Sequence, residues 1–338
     1  ALGPGHRLME KELYPELLGV SCHELFHTWN VKAIRPADMR PYFYDGENYS
    51  RLHYVTEGVT TYYGDLMLMK GGVWTLEEWL RVFNNSVLNR HYANDGHLHI
   101  SLEHASFDSW LVQYQPGVPN RKISFYTKGC LAAFILDYRI RKATENRNSL
   151  DTVMQEMYER FGITETGYTK EDYKSIAEKH AGHNLDEYFE RFISGTDPME
   201  MSLAAAADYY GLRFGERQIV KSLDRDYGFT LDEEVKVKQV WEGSPAMAAG
   251  LRPGDEIVAL NDRRLTKGNR QQLAQYFEGR SGHVLHFFRN EELQRIEIAR
   301  NPNWQRVLYM IGTLENPTDA QMRNREAWMQ VMPIKQGS

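Results

Sequence analysis

Apolar positions in the first two hundred residues recur at intervals of three and four, while those after them alternate in twos, so a helical part precedes a β-rich one. A first helix is expected over 10–30, entered by Leu13, Leu17 and Leu18. Its buried stripe is read as Leu18, Cys22, Leu25 and Trp29, leaving the other face polar. Pro36 disfavours helix in the residue before it, so Ile34-Arg35-Pro36 ends that segment. Residues 37–52, with Pro41, Gly46, Tyr42, Phe43, Tyr44 and Tyr49, read as an ordered aromatic loop. A second helix runs to about Lys70. Thr75-Leu76-Glu77-Glu78 is a capping box for a third, which carries Trp79, Val82, Phe83 and Leu88. Ser124 opens an apolar helix through Leu131, Phe134, Ile135 and Tyr138. Residues 149–195 alternate helices and short turns, with a capping signal at Asn184-Leu185-Asp186-Glu187.

Around Gly195-Thr196-Asp197-Pro198 the periodicity changes, which marks a boundary. Tyr209–Phe214, Tyr227–Leu231 and the alternating Val235–Val240 read as strands. From Gly243 to Asn261 come a small-residue helix, a Pro-Gly-Asp turn and another strand; Gln271–Phe277 reads as a helix and Val284–Phe288 as a closing strand. From Asn301 on, Trp304, Leu308, Tyr309, Ile311 and Trp328 are too apolar for a disordered end and are expected to dock on the folded body. The expected organisation is α+β: a helical lobe over 1–200, a small β-rich domain over 205–300, and a docking tail over 301–338.

The 338 residues are 42% hydrophobic and 12% aromatic, enough for real cores, with a net charge of −6. That charge leaves no basic stripe, so nucleic acid and anionic membrane are not expected partners. No apolar run reaches the roughly 18 residues of a membrane span. A soluble protein is expected, with cytoplasm and periplasm both open as its compartment. No Met leads Ala1-Leu2-Gly3-Pro4-Gly5-His6, so a further N-terminal region, itself a partner of this chain, is expected upstream. Cys22 and Cys130 fall on apolar helical faces and read as buried thiols.

The chemistry gathers at Ser21-Cys22-His23-Glu24-Leu25-Phe26-His27. Two histidines four apart project from one helix face and can share one small cation, while Glu24 stays off that axis as a general base. Zinc in a catalytic site takes a third protein ligand and keeps one position for water. Glu57, a lone carboxylate among apolar and hydroxyl residues in Tyr54–Asp65, is the expected third ligand. One Zn2+ per chain follows. His91, His97, His99 and His104 have no repeated i, i+4 pair and read as solvated or hydrogen-bonded loop histidines. Asn30, Lys32 and Arg35 remain open between loop anchoring and a substrate role.

His23-Glu24-Leu25-Phe26-His27-Thr28-Trp29-Asn30-Val31-Lys32-Ala33-Ile34-Arg35-Pro36, with Thr56-Glu57-Gly58-Val59-Thr60-Thr61-Tyr62-Tyr63-Gly64-Asp65, closely resembles the glycyl aminopeptidase family of gluzincin zinc metallopeptidases, whose members carry a C-terminal PDZ domain. The resemblance covers most of the chain. It implies a thermolysin-like helical catalytic lobe, zinc on His23, His27 and Glu57, Glu24 as the base, and peptide substrates with a small N-terminal residue such as Gly or Ala. Tyr126-Thr127-Lys128-Gly129 is similar to the family's Tyr-Glu-Lys-Gly, which implies that Tyr126 donates to the oxyanion; Thr127 stands where glutamate is usual. Gly243–Asn261 resembles a PDZ domain of the bacterial protease-associated type, implying that Tyr227, Gly228 and Phe229 offer backbone N–H groups to a chain-terminal peptide carboxylate. Two other readings stay open: a PDZ-centred peptide-binding scaffold with a structural or inactive zinc site, and a zinc endopeptidase.

Overall fold

The computed structural model of the chain describes residues 13–93, 95–112, 122–217, 219, 223–277 and 280–330. The fold is α+β, a helical body followed by small antiparallel sheets. Among the described residues no helix is long and apolar enough to cross a membrane.

The helical body is built around α5 (Phe125–Ala143), which follows α1 (Leu13–Phe26), α2 (Thr60–Lys70), α3 (Leu76–Val82) and α4 (Leu102–Phe107). At its start the Ser124 side chain accepts from Thr127 N, and Arg141 and Lys142 occupy the last turn, where the helix dipole favours cations. Leu131, Phe134, Ile135 and Ile140 are fully buried. Asp137 is buried too, and its carboxylate accepts from Arg141 Nε at 3.0 Å, Tyr62 OH at 2.7 Å and Leu150 N at 2.8 Å. That pairing satisfies a charge that would otherwise be costly inside a core. The chain runs on through α6 (Leu150–Met157), α7 (Lys170–Ala181) and α8 (Glu200–Tyr209).

After α8, β1 (Leu212–Arg217) pairs antiparallel with the distant β8 (Leu308–Thr313), Leu212 opposite Thr313 and Arg217 opposite Leu308. Leu203, Ala207 and Leu212 belong to the same core as α5, so the change of periodicity near Gly195 falls inside that body. The second core gathers Tyr227, Phe229, Val237, Ile257, Leu285 and Phe287. Its strands are β2 (Phe229–Leu231) on β3 (Val237–Val240), and a sheet in which β4 (Glu256–Leu260) lies between β5 (Arg263–Arg264) and β6 (Gly282–Arg289), with β7 (Glu292–Ala299) outside β6. Between β5 and β6, the expected helix is a 3-10 turn over Lys267–Gln272 leading into a short helix, Leu273–Phe277.

The last helix, Asp319–Met329, returns to the first core: Trp328 is fully buried there and its Nε1 donates to Tyr62 OH at 2.8 Å. Between the cores, Glu242 N donates to Asp95 Oδ2, the Glu242 carboxylate lies 2.5 Å from His99 Nε2, and Arg306 reaches both Asp224 and Tyr92 O.

The first helix departs from its expected pattern. Leu25 and Trp29 are 61% and 45% exposed, Trp29 in the turns beyond the helix end, while Leu18, Cys22 and Phe26 pack on the core. Phe26 stacks on Tyr63 with centroids 4.8 Å apart. Among the described residues the helix packs chiefly on α2, which leaves Leu25 and Trp29 uncovered.

Candidate metal centre

Helix α1 carries His23 in its last turn, and hydrogen-bonded turns continue it to Ile34, with His27 N donating to His23 O and Ile34 N to Trp29 O. The imidazoles meet edge to face, centroids 4.7 Å apart. His27 Nδ1 lies 2.8 Å from Asn30 O; a carbonyl can only accept, so the proton sits on Nδ1 and the Nε2 lone pair faces outward. Asn30 itself is wholly buried. Its Nδ2 donates to Val55 O at 2.8 Å and Thr60 Oγ1 at 3.1 Å, tying the His27 turn to the second helical segment.

That segment opens with a wide π turn, Tyr54–Val59, and continues as α2. Glu57 sits in the turn. Its Oε2 stands 3.3 Å from Nε2 of His23 and 3.3 Å from Nε2 of His27, is buried, and has no hydrogen-bond partner. Burial pushes its carboxyl up, but the two imidazoles outweigh that and hold it at about 2. Burial likewise works against a charged His27, and the Glu57 and Asn30 contacts outweigh it to raise its pKa. Three half-buried side chains thus converge, with Glu57 Oε2 equidistant from the two imidazole nitrogens. Donors about 2.0–2.1 Å from one tetrahedral ion stand about 3.3 Å apart, so this set fits a small cation such as zinc. Glu24 also places an oxygen within 4.8 Å of the histidine nitrogens, but it is exposed and lies outside the Glu57 contact pair. Of the two carboxylates, Glu57 faces both Nε2 atoms at 3.3 Å and Glu24 is exposed.

Glycines set these distances. A Cβ at Gly58 would lie 2.6 Å from Gly129 Cα, and one at Gly129 2.8 Å from Gly58 Cα, so the Glu57 turn and the start of α5 touch backbone to backbone. Gly64 approaches His23 in the same way, with 3.1 Å to its Cα. The α5 contact carries Tyr126 to the site, its ring partly stacked on His23 at a centroid distance of 6.1 Å. Two residues on, buried Lys128 donates to His97 O and Ile100 O, and burial lowers its pKa to about 8.

Sequence reasoning gave no role to one neighbour of the site, Asp65. Asp65 is half-buried beside His23 and Gly19, and desolvation, partly offset by His23, pushes it up to about 7. A carboxylate inside an apolar helical run was the available signal. His91, expected on a loop, is buried in a short helix with its ring 4.8 Å from that of His97, and His104 sits on α4 paired with Asp108. Tyr227, Gly228 and Phe229 lie in the second core. Gly228, at φ +75°, donates its N–H to Leu223 O and abuts the Trp304 ring, so that amide is already engaged.

Residues 16–132 match the M61 glycyl aminopeptidase family, and residues 236–287 match the PDZ domain. No curated protein matches the chain. An aminopeptidase N family protein from Idiomarina loihiensis shares the fold with a TM-score of 0.81 at 22% identity, over 97% of this chain and 57% of that one. The chain thus spans little more than half the length of that structure. Local similarity at 19% identity extends to the PDZ domain of HtrA3 bound to a phage-derived ligand, over 30% of this chain and 93% of that one with a TM-score of 0.20. The PDZ domain of EpsC from Vibrio cholerae is similar over 30% of this chain and 90% of that one, also at 19% identity, with a TM-score of 0.18. The chain therefore carries an M61 glycyl aminopeptidase family domain followed by a PDZ domain.

Proposed function

We propose that the chain is a zinc-dependent aminopeptidase acting on peptides with small N-terminal residues such as Gly or Ala. The observation that carries the reading is the buried, unpartnered Glu57 Oε2 facing Nε2 of both His23 and His27 at 3.3 Å. The Gly/Ala preference rests on the family resemblance alone. Zinc held by these three side chains would supply a Lewis acid for the substrate carbonyl and acidify a water. Glu24, exposed beside the histidines, takes the proton of the attacking water on its carboxylate as the new C–O bond forms. It then gives that proton to the amine nitrogen as the C–N bond breaks. The Tyr126 hydroxyl donates to the oxyanion of the tetrahedral species, a contact worth about 3 kcal/mol in comparable sites. The His27 Nδ1–H bond to Asn30 O holds the ring so that Nε2 keeps facing Glu57. The PDZ domain would take a peptide chain end, with Tyr227 and Phe229 the remaining candidates at its loop.

The test is hydrolysis of a glycyl or alanyl anilide by the zinc-loaded chain. Glu24→Gln should keep zinc and lose turnover, and Tyr126→Phe should lower kcat about 10²–10³-fold with little change in KM. Wild-type turnover in either variant removes that residue from the mechanism, and no turnover in the zinc-loaded parent removes the peptidase reading.

A further inference from the structure

One short stretch of chain stands between the two cores and is bonded to both. Asp95–Leu98 is a 3-10 turn, closed by His99 N and Ile100 N, which donate to Gly96 O at 3.0 and 2.9 Å. On one side its carbonyls meet α5: the buried Lys128 ammonium donates to His97 O at 3.3 Å and to Ile100 O at 3.2 Å. On the other its side chains meet a single residue of the turn that follows β3. Asp95 Oδ2 accepts from Glu242 N at 2.6 Å, and the Glu242 carboxylate accepts from His99 Nε2 at 2.5 Å. The Glu242 carbonyl in turn accepts from Trp304 Nε1 at 3.3 Å. Glu242 is the second residue of the tight turn Trp241–Ser244, in which Ser244 N donates to Trp241 O at 3.3 Å and Gly243 has φ +65°. A positive φ at the third position is the mark of a type II turn. Arg306, 3.9 Å over the Trp241 ring, ties the same corner to Tyr92 O at 3.0 Å.

The head of α5 is thereby held from two directions, by Gly129 against Gly58 and by Lys128 on the 95–100 stretch. Tyr126 lies in the same helical turn as Lys128, with its ring beside that of His23. We propose that Glu242 is a positioning residue for Tyr126: the PDZ-bearing part of the chain clamps the 95–100 stretch, that stretch anchors Lys128, and Lys128 sets the α5 head against the metal centre. This rests on the peptidase reading. The His99 and Glu242 side chains are 42% and 40% exposed, and exposed ion pairs add little stability, so the clamp acts on the geometry of the site rather than on the survival of the fold. Geometry suffices, since about 1 Å of misplacement can cost on the order of 10²-fold in rate.

The test replaces Glu242 by proline, which type II turns accept at their second position, so the turn stays while the N–H and the carboxylate are lost together. In the zinc-loaded chain Glu242→Pro should lower kcat on an alanyl anilide by about fivefold or more with KM within about twofold, because Tyr126 acts on the transition state. Glu242→Gln, which keeps the N–H and an acceptor oxygen, should match the parent. In a Tyr126→Phe background the same proline should cost less than about twofold, since the hydroxyl it acts through is already gone. Amide exchange of Thr127 and Lys128, whose N–H groups donate to Ser124 at the head of α5, should quicken about tenfold or more in Glu242→Pro. Equal fold losses in the two backgrounds, a parent-like kcat or unchanged exchange overturns the proposal. Exchange also reads the clamp without turnover. Faster exchange in Glu242→Pro with an inactive parent keeps the clamp and removes the peptidase reading; turnover with unchanged exchange does the reverse.

Discussion

Asn30 shows how one side chain can set a centre it does not join. It is wholly buried, its carbonyl fixes the His27 proton, and its amide holds Val55 O and Thr60 Oγ1. Asn30→Ala leaves those acceptors unpaired and should cost about 1–3 kcal/mol in urea unfolding, with weaker zinc binding; unchanged stability would make the contact incidental. Lys128 gives a pH signature. Its folded pKa is lowered to about 8 from 10.5, so between those values the unfolded chain holds the extra proton and stability rises with pH. Unfolding free energies of the parent and Lys128→Met, compared at pH 8 and 10.5, should diverge in the parent's favour by at most about 3 kcal/mol. Parallel values would mean that the ammonium is solvated. The His23, Glu24, His27 and Glu57 set was legible because i, i+4 spacing states its own geometry and a carboxylate in an apolar run needs a partner. Asn30 was left open and Asp65 without a role, because a buried partner is fixed by how distant helices cross.

At the scale of elements, two glycines hold the centre together. Gly58 and Gly129 bring the Glu57 turn and the Tyr126 helix into backbone contact, and neither neighbour is a flexible side chain that could yield. Gly58→Ala should therefore destabilise by about 3 kcal/mol or more and weaken zinc binding, since separating the segments moves Glu57 and Tyr126 together. A shift in Tm equivalent to under about 0.5 kcal/mol would show that the helices can part freely. The Thr75 capping box and the α5 start were readable because Ser or Thr followed by a suitable third residue is a local signal, whereas the short helix after Asn184 has Leu185 at its N-cap with no side-chain bond. The stripe on α1 was misassigned at Leu25 and Trp29, since periodicity shows which face is apolar and not which face another element covers.

The whole molecule is two cores laced by the tail. Sequence texture placed the change near Gly195, yet α8 and β1 stay with the helical body because β1's partner, β8, lies almost a hundred residues on, a pairing that no local pattern announces. The tail's apolar residues signalled docking, and Trp328 seats among Trp79, Phe134 and Tyr210. Trp328→Ala should cost about 3–5 kcal/mol through the cavity left and the lost bond to Tyr62, measured by chemical denaturation. A cost below about 1 kcal/mol would mean that the tail is an appendage. The central claim is that one zinc sits on His23, His27 and Glu57. Zinc per chain after equilibrium dialysis against the metal tests it most directly: the account predicts one equivalent in the parent and in Glu24→Gln, and less than about a quarter in His23→Ala and Glu57→Ala. A full equivalent in Glu57→Ala, or none in the parent, would contradict it.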